Sequence, residues 1–126
     1  MKTILSLSWR SSKQRRKQRK YRYNAPLHIK HKLLSAHLSK ELIKKYKKRS
    51  FPVRKDDFVK ITRGQYKGKT GKVIKVFLNK NKVHIDGIQR TKINGSKVYI
   101  PIHVSNLQIF ELNLSDKLRI KSLERK

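Results

Sequence analysis

The stretch of sequence that decides the fold is VKITRGQYKGKTGKV, residues 59–73. Gly64, Gly68 and Gly71 lie between two segments rich in β-branched residues, so the stretch predicts two strands joined by a glycine-rich turn. Glycine adopts positive φ angles without steric cost and adds no side-chain bulk. The three glycines therefore predict a loop whose backbone N–H groups approach a phosphate closely.

Basic and aromatic side chains are interleaved with these glycines. The candidate phosphate-binding cations are Arg63, Lys67, Lys69 and Lys72. Tyr66 is a candidate for stacking on an unpaired base or for packing against protein. The stretch is not a nucleotide-binding P-loop, because it lacks the Gly-x4-Gly-Lys-Ser/Thr spacing and is followed by a strand. A plain hairpin turn with solvated lysines remains the alternative on glycine spacing alone.

Outward from the loop, apolar residues alternate with period two, which is typical of half-buried strands. The predicted inward positions are Val59, Ile61, Val83, Ile85, Val98, Ile100, Ile102, Leu107 and Ile109. Turn signals separate these runs at 79–81, 86–87 and 94–95. About five short strands within some sixty residues predict a mainly β fold with a small closed barrel.

Short helices are predicted on either side of the barrel. One lies within Pro26–Leu34, and a second begins at Ser39, a favourable N-cap residue, with Glu41 in its first turn. The apolar stripe expected on the second helix is Leu38, Leu42, Ile43 and Tyr46. A last helix is predicted to be capped by Asn113 and to carry Leu114, Leu118 and Leu123, with Asp116 near its start.

Charge is the strongest compositional signal. The chain of 126 residues has 35 Lys+Arg against 7 Asp+Glu, a formal net charge of +28. Residues 1–50 hold 17 of these cations and a single acid, Glu41. This segment predicts a basic arm that orders on a partner. Nucleic acid is the favoured polyanion because phosphate contacts release counterions; on charge alone, membrane surfaces and acidic proteins remain open.

The arm contributes a further set of candidate RNA-binding residues. They are Lys13, Arg15, Arg16, Lys17, Arg19, Lys20 and Arg22. Arg54 and Lys55, just after the arm, join them. A solvated charge run or a nuclear import signal is the alternative interpretation of the arm.

Catalytic and metal chemistry find no support in the residue pattern. Cysteine is absent, and His28, His31 and His37 lack the nearby carboxylates that a metal site needs. Asp56 and Asp57 are neighbours on an extended segment and point apart, so contact with Arg54 or Lys55, or a turn, is favoured over an acid–base pair. No catalytic residue, metal or cofactor is therefore expected.

The start of the chain briefly imitates a signal peptide. The apolar stretch within Met1–Leu7 is soon interrupted by Trp9-Arg10 and a basic run. No apolar run has transmembrane length. The sequence is interpreted as that of a soluble cytosolic or nuclear protein.

Residues 59–73 closely resemble the KOW motif. The wider sequence resembles the KOW-containing protein family of the large ribosomal subunit in its eukaryotic and archaeal form (protein twenty-six in the eukaryotic count, universal family twenty-four). The landmarks of the resemblance follow in order from about Ser12 to the end: Asn24-Ala25-Pro26, Leu38-Ser39-Lys40-Glu41-Leu42, Pro52-Val53-Arg54-Lys55-Asp56-Asp57, Asn94-Gly95 and Leu123-Glu124-Arg125-Lys126.

The resemblance implies an SH3-like β-barrel. Together with the charge distribution and the predicted helices, it gives a basic, partly helical N-terminal arm at 1–50, the barrel at 51–112 and a short C-terminal helix at 113–126. It implies a structural, non-enzymatic protein that binds the 5′ region of large-subunit ribosomal RNA near the peptide tunnel exit and supports assembly. Its partners would be that RNA and neighbouring ribosomal proteins, with no membrane and no homo-oligomer. It would act in the cytoplasm, after nuclear or nucleolar passage in a eukaryote. A KOW module of a transcription elongation or chromatin factor is the alternative.

Overall fold

The computed structural model describes residues 5–125, so most of the apolar Met1–Leu7 segment and the final residue of the last landmark lie outside the described part. Within it the α-helices are α1 (Arg15–Asn24), α2 (Leu27–Leu33), α3 (Lys40–Tyr46) and α4 (Lys117–Glu124). The strands are β1 (Ser35–Leu38), β2 (Ser50–Pro52), β3 (Phe58–Ile61), β4 (Thr70–Phe77), β5 (Lys82–Ile85), β6 (Gln89–Thr91), β7 (Lys97–Tyr99), β8 (Ile102–His103) and β9 (Leu107–Glu111). Single 3-10 turns span Leu7–Ser11, Leu78–Lys80 and Val104–Asn106.

Seven strands form one sheet in the order β2-β1-β9-β3-β4-β5-β8, and β6 pairs with β7 in a separate hairpin. All pairings are antiparallel except β1 with β9. The register shifts between Val73 and Lys75, which bends β4 between its two neighbours. Among the described residues no pairing joins β2 to β8, so the closed barrel is not confirmed. With four helices beside the sheet, the fold is mixed rather than mainly β.

The predicted alternation correctly identifies the centre of the core. The inward residues of β3, β5 and β9 are all fully buried: Val59, Ile61, Val83, Ile85, Leu107 and Ile109. The prediction weakens at β7, where Val98 is 40% exposed and Ile100 is only partly buried. The reason is topological, because β7 pairs with β6 alone and stands outside the main sheet.

The sheet begins within the segment that the sequence assigns to the basic arm. Ala36 and Leu38 of β1 are buried, and β1 pairs in parallel with β9 through His37 opposite Gln108. Leu38 therefore belongs to a strand and not to the apolar stripe of the following helix. That helix, α3, begins as predicted, because the Ser39 side chain accepts a hydrogen bond from the Leu42 amide.

The basic block of the arm folds as helix α1, which the sequence does not predict. Gln18 holds the preceding turn against this helix, since its side-chain amide donates to the carbonyls of Trp9, Arg10 and Ser12 at 2.8–3.1 Å. Tyr21 is buried, and Lys30 of α2 donates to the Asn79 side chain at 2.9 Å. These contacts join the helix to the preceding turn and join α2 to Asn79, and composition alone identifies none of them.

The C-terminal helix forms, but not with the predicted cap, and of its predicted leucines only Leu123 is buried. Its N-cap is Asp116, which accepts from the Leu118 amide. Asn113 instead accepts from the Ser115 amide in the preceding turn. Leu114 and Leu118 are 38% and 76% exposed, whereas Arg119 and Leu123 are buried. The buried Arg119 and Leu123 thus anchor the helix.

Candidate nucleic-acid interface

The loop between β3 and β4 has the glycine-dependent geometry that the sequence predicts at two of its three glycines. Gly64 and Gly68 have φ angles of 95° and 90°, which L-residues adopt only with strain. The Lys67 amide donates to the Gly64 carbonyl at 3.0 Å, and the Gly68 amide donates to the Ile61 carbonyl at 2.8 Å. Two successive turns therefore shape the loop.

The backbone amides of the loop form two sets, those that donate a backbone hydrogen bond and those that do not, which are called open amides below. Those of Lys67, Gly68 and Lys69 donate within the loop or to β3. Within the described part of the chain, the amides from Arg63 to Tyr66 have no backbone acceptor. The loop amides available to an external acceptor are thus those of residues 63–66, because the Gly68 amide already donates to Ile61.

Gly71 corrects the sequence prediction of a third positive-φ glycine in the loop. It lies inside β4 opposite Val59, and its φ is not positive. A Cβ atom there would lie 2.7 Å from the Asp86 carbonyl oxygen and 2.8 Å from a methyl carbon of Ile85. Close packing of β4 against the residues at the end of β5, and not approach to a phosphate, requires glycine at this position.

The predicted cations of the loop are all exposed. They are Arg63, Lys67, Lys69 and, at the start of β4, Lys72. The Lys69 ammonium lies 5.4 Å from the ring centre of Tyr66, which is half-buried and contacts the core cluster. Positive charge and an aromatic face are therefore presented together.

Arg54 and Lys55 are also exposed, but they differ in their neighbours. The Arg54 guanidinium donates to the Asp116 carboxylate, so part of its charge is neutralised within the chain. That hydrogen bond is the main reason that the pKa of Asp116 is lowered from its ordinary value. Lys55 is the more available of the two for an external anion.

The arm residues form a second group on and just before α1, with every predicted side chain exposed. They are Lys13, Arg15, Arg16, Lys17, Arg19, Lys20 and Arg22. The Lys20 ammonium lies 5.3 Å from the ring centre of Trp9. Arg22 also lines a hollow of about 390 Å³ whose other basic residues are Arg10, His28 and Lys32. Apart from Arg54 and Lys55, the predicted cations thus fall into two basic groups, one on and just before α1 and one on the glycine loop and the start of β4.

The β6–β7 hairpin is a neighbour of the glycine loop that sequence reasoning missed. Together they enclose an open groove of about 1110 Å³. Its lining residues are Gln65, Tyr66, Arg90, Thr91, Lys92, Ile93, Asn94, Val98, Tyr99, Ile100 and Pro101. The available signal was the Asn94-Gly95 turn between two short segments that each carry cations. Nothing in that signal says that the hairpin lies beside the loop.

An aromatic row leads from the sheet to this groove. The His84 ring meets Phe77 edge-on, with ring centres 4.7 Å apart, and stacks on Tyr99 at 5.8 Å. Burial, and then the nearby charge of Lys75, lowers the pKa of His84. The native row therefore favours a neutral imidazole.

This row predicts a pH-dependent stability. Because the pKa of His84 is lower in the folded than in the unfolded chain, the unfolded chain binds more protons as pH falls through the ordinary histidine value of about 6.5. Stability should therefore decrease from about pH 8 to about pH 5. His84→Phe keeps an aromatic ring and should make that part of the urea-unfolding profile shallower. An unchanged profile would show that His84 contributes nothing to it.

Two further findings concern the described residues alone. None of their helices combines the length and the apolar character needed to cross a bilayer. Residues 5–125 contain no group of three or more metal-ligating side chains in a suitable arrangement. The three arm histidines thus form no such group.

Comparison with known proteins identifies the family. A model of eukaryotic ribosomal proteins L26 and their archaeal counterparts, the L24 proteins, matches residues 12–126. The large ribosomal subunit protein uL24 of Methanosphaera stadtmanae is 50% identical over 115 residues, 91% of this chain and 98% of its own. The protein of that name from Pyrobaculum islandicum is 47% identical over 116 residues, 92% and 94% of the two chains. The chain with the two basic groups described above therefore belongs to the family of eukaryotic L26 and archaeal L24 ribosomal proteins.

Proposed function

We propose that this protein is a non-enzymatic structural constituent of the large ribosomal subunit and acts in the cytoplasm as part of the ribosome. The observation that carries the proposal is near-full-length similarity to two large-subunit proteins at 47–50% identity. The net charge of +28 fits a protein that must neutralise RNA phosphates. Its partners are large-subunit ribosomal RNA and neighbouring ribosomal proteins, and it does not form a homo-oligomer.

The finer proposal follows the family resemblance of the sequence. The protein binds the 5′ region of large-subunit RNA near the peptide tunnel exit and supports subunit assembly, after nucleolar passage if the source is eukaryotic. We assign residues 1–50 to the RNA-binding arm, 51–112 to an SH3-like KOW barrel and 113–126 to the C-terminal helix. The consecutive antiparallel neighbours β9-β3-β4-β5-β8 support the barrel assignment, and β1 of the arm extends this sheet at β9.

The proposed RNA contacts use both basic groups. Exposed cations of α1 contact phosphates along one segment of RNA, while Arg63, Lys67 and Lys69 contact another. The open amides of residues 63–66 add hydrogen-bond donors that need no side chain. Such contacts position the RNA backbone and carry little base specificity.

Sedimentation tests the ribosomal assignment directly. Tagged protein expressed in its native host should remain with large subunits after a high-salt wash. Crosslinking followed by RNA sequencing should then map its contacts to the 5′ region of the large-subunit RNA. Recovery with RNA polymerase or chromatin instead of subunits would support the elongation-factor alternative and contradict the proposal.

The arm should account for part of the salt dependence of RNA binding. Replacing Arg15, Arg16, Lys17 and Arg19 with glutamine removes four exposed cations from α1. The slope of log affinity against log salt should fall by roughly 0.7–0.9 for each phosphate that the variant no longer neutralises. A matched control replaces Lys80, Lys117, Lys121 and Arg125, exposed cations outside the arm, with glutamine and removes the same charge. Equal changes in the two variants would show that only net charge matters.

The glycine loop should be more sensitive to backbone changes than to removal of one charge. Gly68→Val places a β-branched residue at φ 90°, where L-residues cost about 1–2 kcal/mol. The resulting change in loop shape should weaken RNA binding more than Lys69→Ala does, because that variant removes one phosphate-binding cation of many. Filter binding and urea unfolding measure the two effects. Normal folding and binding by Gly68→Val, together with severe impairment by Lys69→Ala, would identify the loop as a simple charged hairpin.

A further inference from the structure

The groove between the glycine loop and the β6–β7 hairpin combines an apolar lining with charged residues that are all positive. Two tyrosine rings, Tyr66 and Tyr99, line it together with Val98 and Ile100. Its charged lining residues are Arg90 and Lys92, and no carboxylate is among the lining residues. This composition suits an occupant with a planar apolar part and a negative part.

The groove is also open and accessible. Arg90 and Lys92 are exposed, and the Ile93 side chain at the hairpin tip is fully exposed. The open amides of Gln65 and Tyr66 belong to residues of its lining. A volume of about 1110 Å³ is slightly larger than the usual range of sites for small molecules, roughly 300–1,000 Å³. It can therefore admit a planar group together with the chain that carries it.

The Tyr99 ring has a restricted orientation. Its stack on His84, which is itself in contact with Phe77, fixes one side of the ring within the aromatic row. An aromatic side chain already ordered in the free protein loses little entropy when a second ring stacks on it. The groove therefore contains a preorganised stacking surface beside two cations.

We propose that this groove binds an unpaired nucleotide of RNA, with its base against Tyr66 and Tyr99 and its phosphates at Arg90 and Lys92. The proposal rests on the proposed RNA-binding function. It adds that the RNA segment bound in the groove is single-stranded. Bases within a duplex present no free face for stacking, whereas unpaired bases do. An apolar peptide would use the same lining, but it would leave the two cations without a counter-charge.

The test measures affinity of the full chain for two RNA probes across a salt series. One probe is a single-stranded oligouridylate, and the other is a blunt RNA duplex with the same number of phosphates. Tyr99→Leu and Tyr66→Leu each remove a ring while retaining apolar bulk. Phe110→Leu is the matched control, because Phe110 is 41% exposed and lies outside the groove.

We expect either tyrosine variant to lose about ten-fold in affinity for the single strand. The loss should be equal at every salt concentration, because stacking releases no counterion. Arg90→Gln should instead reduce the salt slope for the single strand by about 0.7. Duplex binding by the two tyrosine variants and single-strand binding by Phe110→Leu should remain unchanged. Circular dichroism melting verifies that each variant folds.

A second measurement needs no substitution in the protein. A single-stranded probe containing 4-thiouridine, irradiated in complex with the native chain, should crosslink to peptides that contain Tyr66 or Tyr99. Crosslinks confined to residues 5–24, with unaltered affinity of both tyrosine variants, would overturn the groove assignment and leave RNA binding by the arm intact. No binding of either probe at moderate salt would refute RNA binding itself, and with it the proposed function.

Discussion

Replacing Asp57 with alanine should lower the free energy of unfolding by about 3–5 kcal/mol, since it leaves a buried cation without its partner. The Arg119 side chain is 2% exposed and that of Asp57 is fully buried. Two guanidinium nitrogens donate to the two carboxylate oxygens, each at 2.7 Å. This bidentate geometry is the strongest form of such a pair.

The carboxylate of Asp57 has two further donors. The amides of Arg54 and Asn113 donate to it at 2.8 Å and 2.9 Å, so one side chain joins the segment before β3 to the segment before α4. The guanidinium also donates to the carbonyls of Asn113 and Pro52 and lies over the Phe51 ring. Removal of the carboxylate would therefore leave donors from three parts of the chain unsatisfied.

A double-mutant cycle measured by urea unfolding separates the pair from its surroundings. Arg119→Met replaces the cation with an apolar chain of similar length. The double variant should be more stable than Asp57→Ala alone, because no uncompensated buried charge remains. Asp116→Asn is the matched control, since it disrupts the exposed pair with Arg54 but retains a good N-cap residue. Exposed ion pairs contribute little, so a loss as large as that of Asp57→Ala would contradict this account.

Replacing Gly71 with alanine should destabilise the protein by about 1–3 kcal/mol or more, the range for inserting atoms into a well-packed core. The new methyl group would meet the carbonyl oxygen of Asp86 at 2.7 Å. That oxygen belongs to the backbone and cannot rotate away. Relief requires β4 and the end of β5 to separate, although the Asp86 amide is bonded to the Lys72 carbonyl at 2.8 Å.

Gly95→Ala is the control for this substitution. Gly95 has a positive φ of 79° and no neighbouring atom within 4 Å of an added Cβ. The control therefore reports backbone strain without a clash, whereas Gly71→Ala reports a clash without strain. Thermal unfolding should show the larger loss of stability at Gly71. A smaller loss there would mean that β4 and β5 adjust easily.

The three glycines of the loop show which features the sequence could predict and which it could not. Spacing between two strands correctly predicted a turn with positive φ at Gly64 and Gly68. The spacing could not distinguish Gly64 and Gly68 from Gly71. Glycine is required at Gly71 because the carbonyl oxygen of Asp86, which follows β5, lies too close for a Cβ atom. The sequence shows that these positions have no side chain. It does not show whether a positive φ angle or a neighbouring atom is the reason that glycine is required.

The charged residues show the same limit more strongly. Arg119 is one of 35 cations in the sequence, and its burial depends on Asp57, which lies far away along the chain. Helix α1 was missed because its order comes from the Gln18 amide and the buried Tyr21, and not from an apolar stripe. The inward residues of β3, β5 and β9 were predicted well, because alternation is local and the inward face of each of these strands is apolar. The groove was missed because it joins two loops that only the fold brings together.

The parallel pairing of β1 with β9 has a consequence for synthesis of the chain. Because β9 lies between β1 and β3 in the sheet, a strand from the interior of the sheet is the last of the described strands to be translated. A nascent chain that ends before Leu107 contains two separate strand sets, β1 with β2 and β3 with β4, β5 and β8. The edges of β1 and β3 that pair with β9 in the complete sheet are then both unpaired. Completion of the sheet is therefore a late event, which follows translation of the basic arm and of every other strand described.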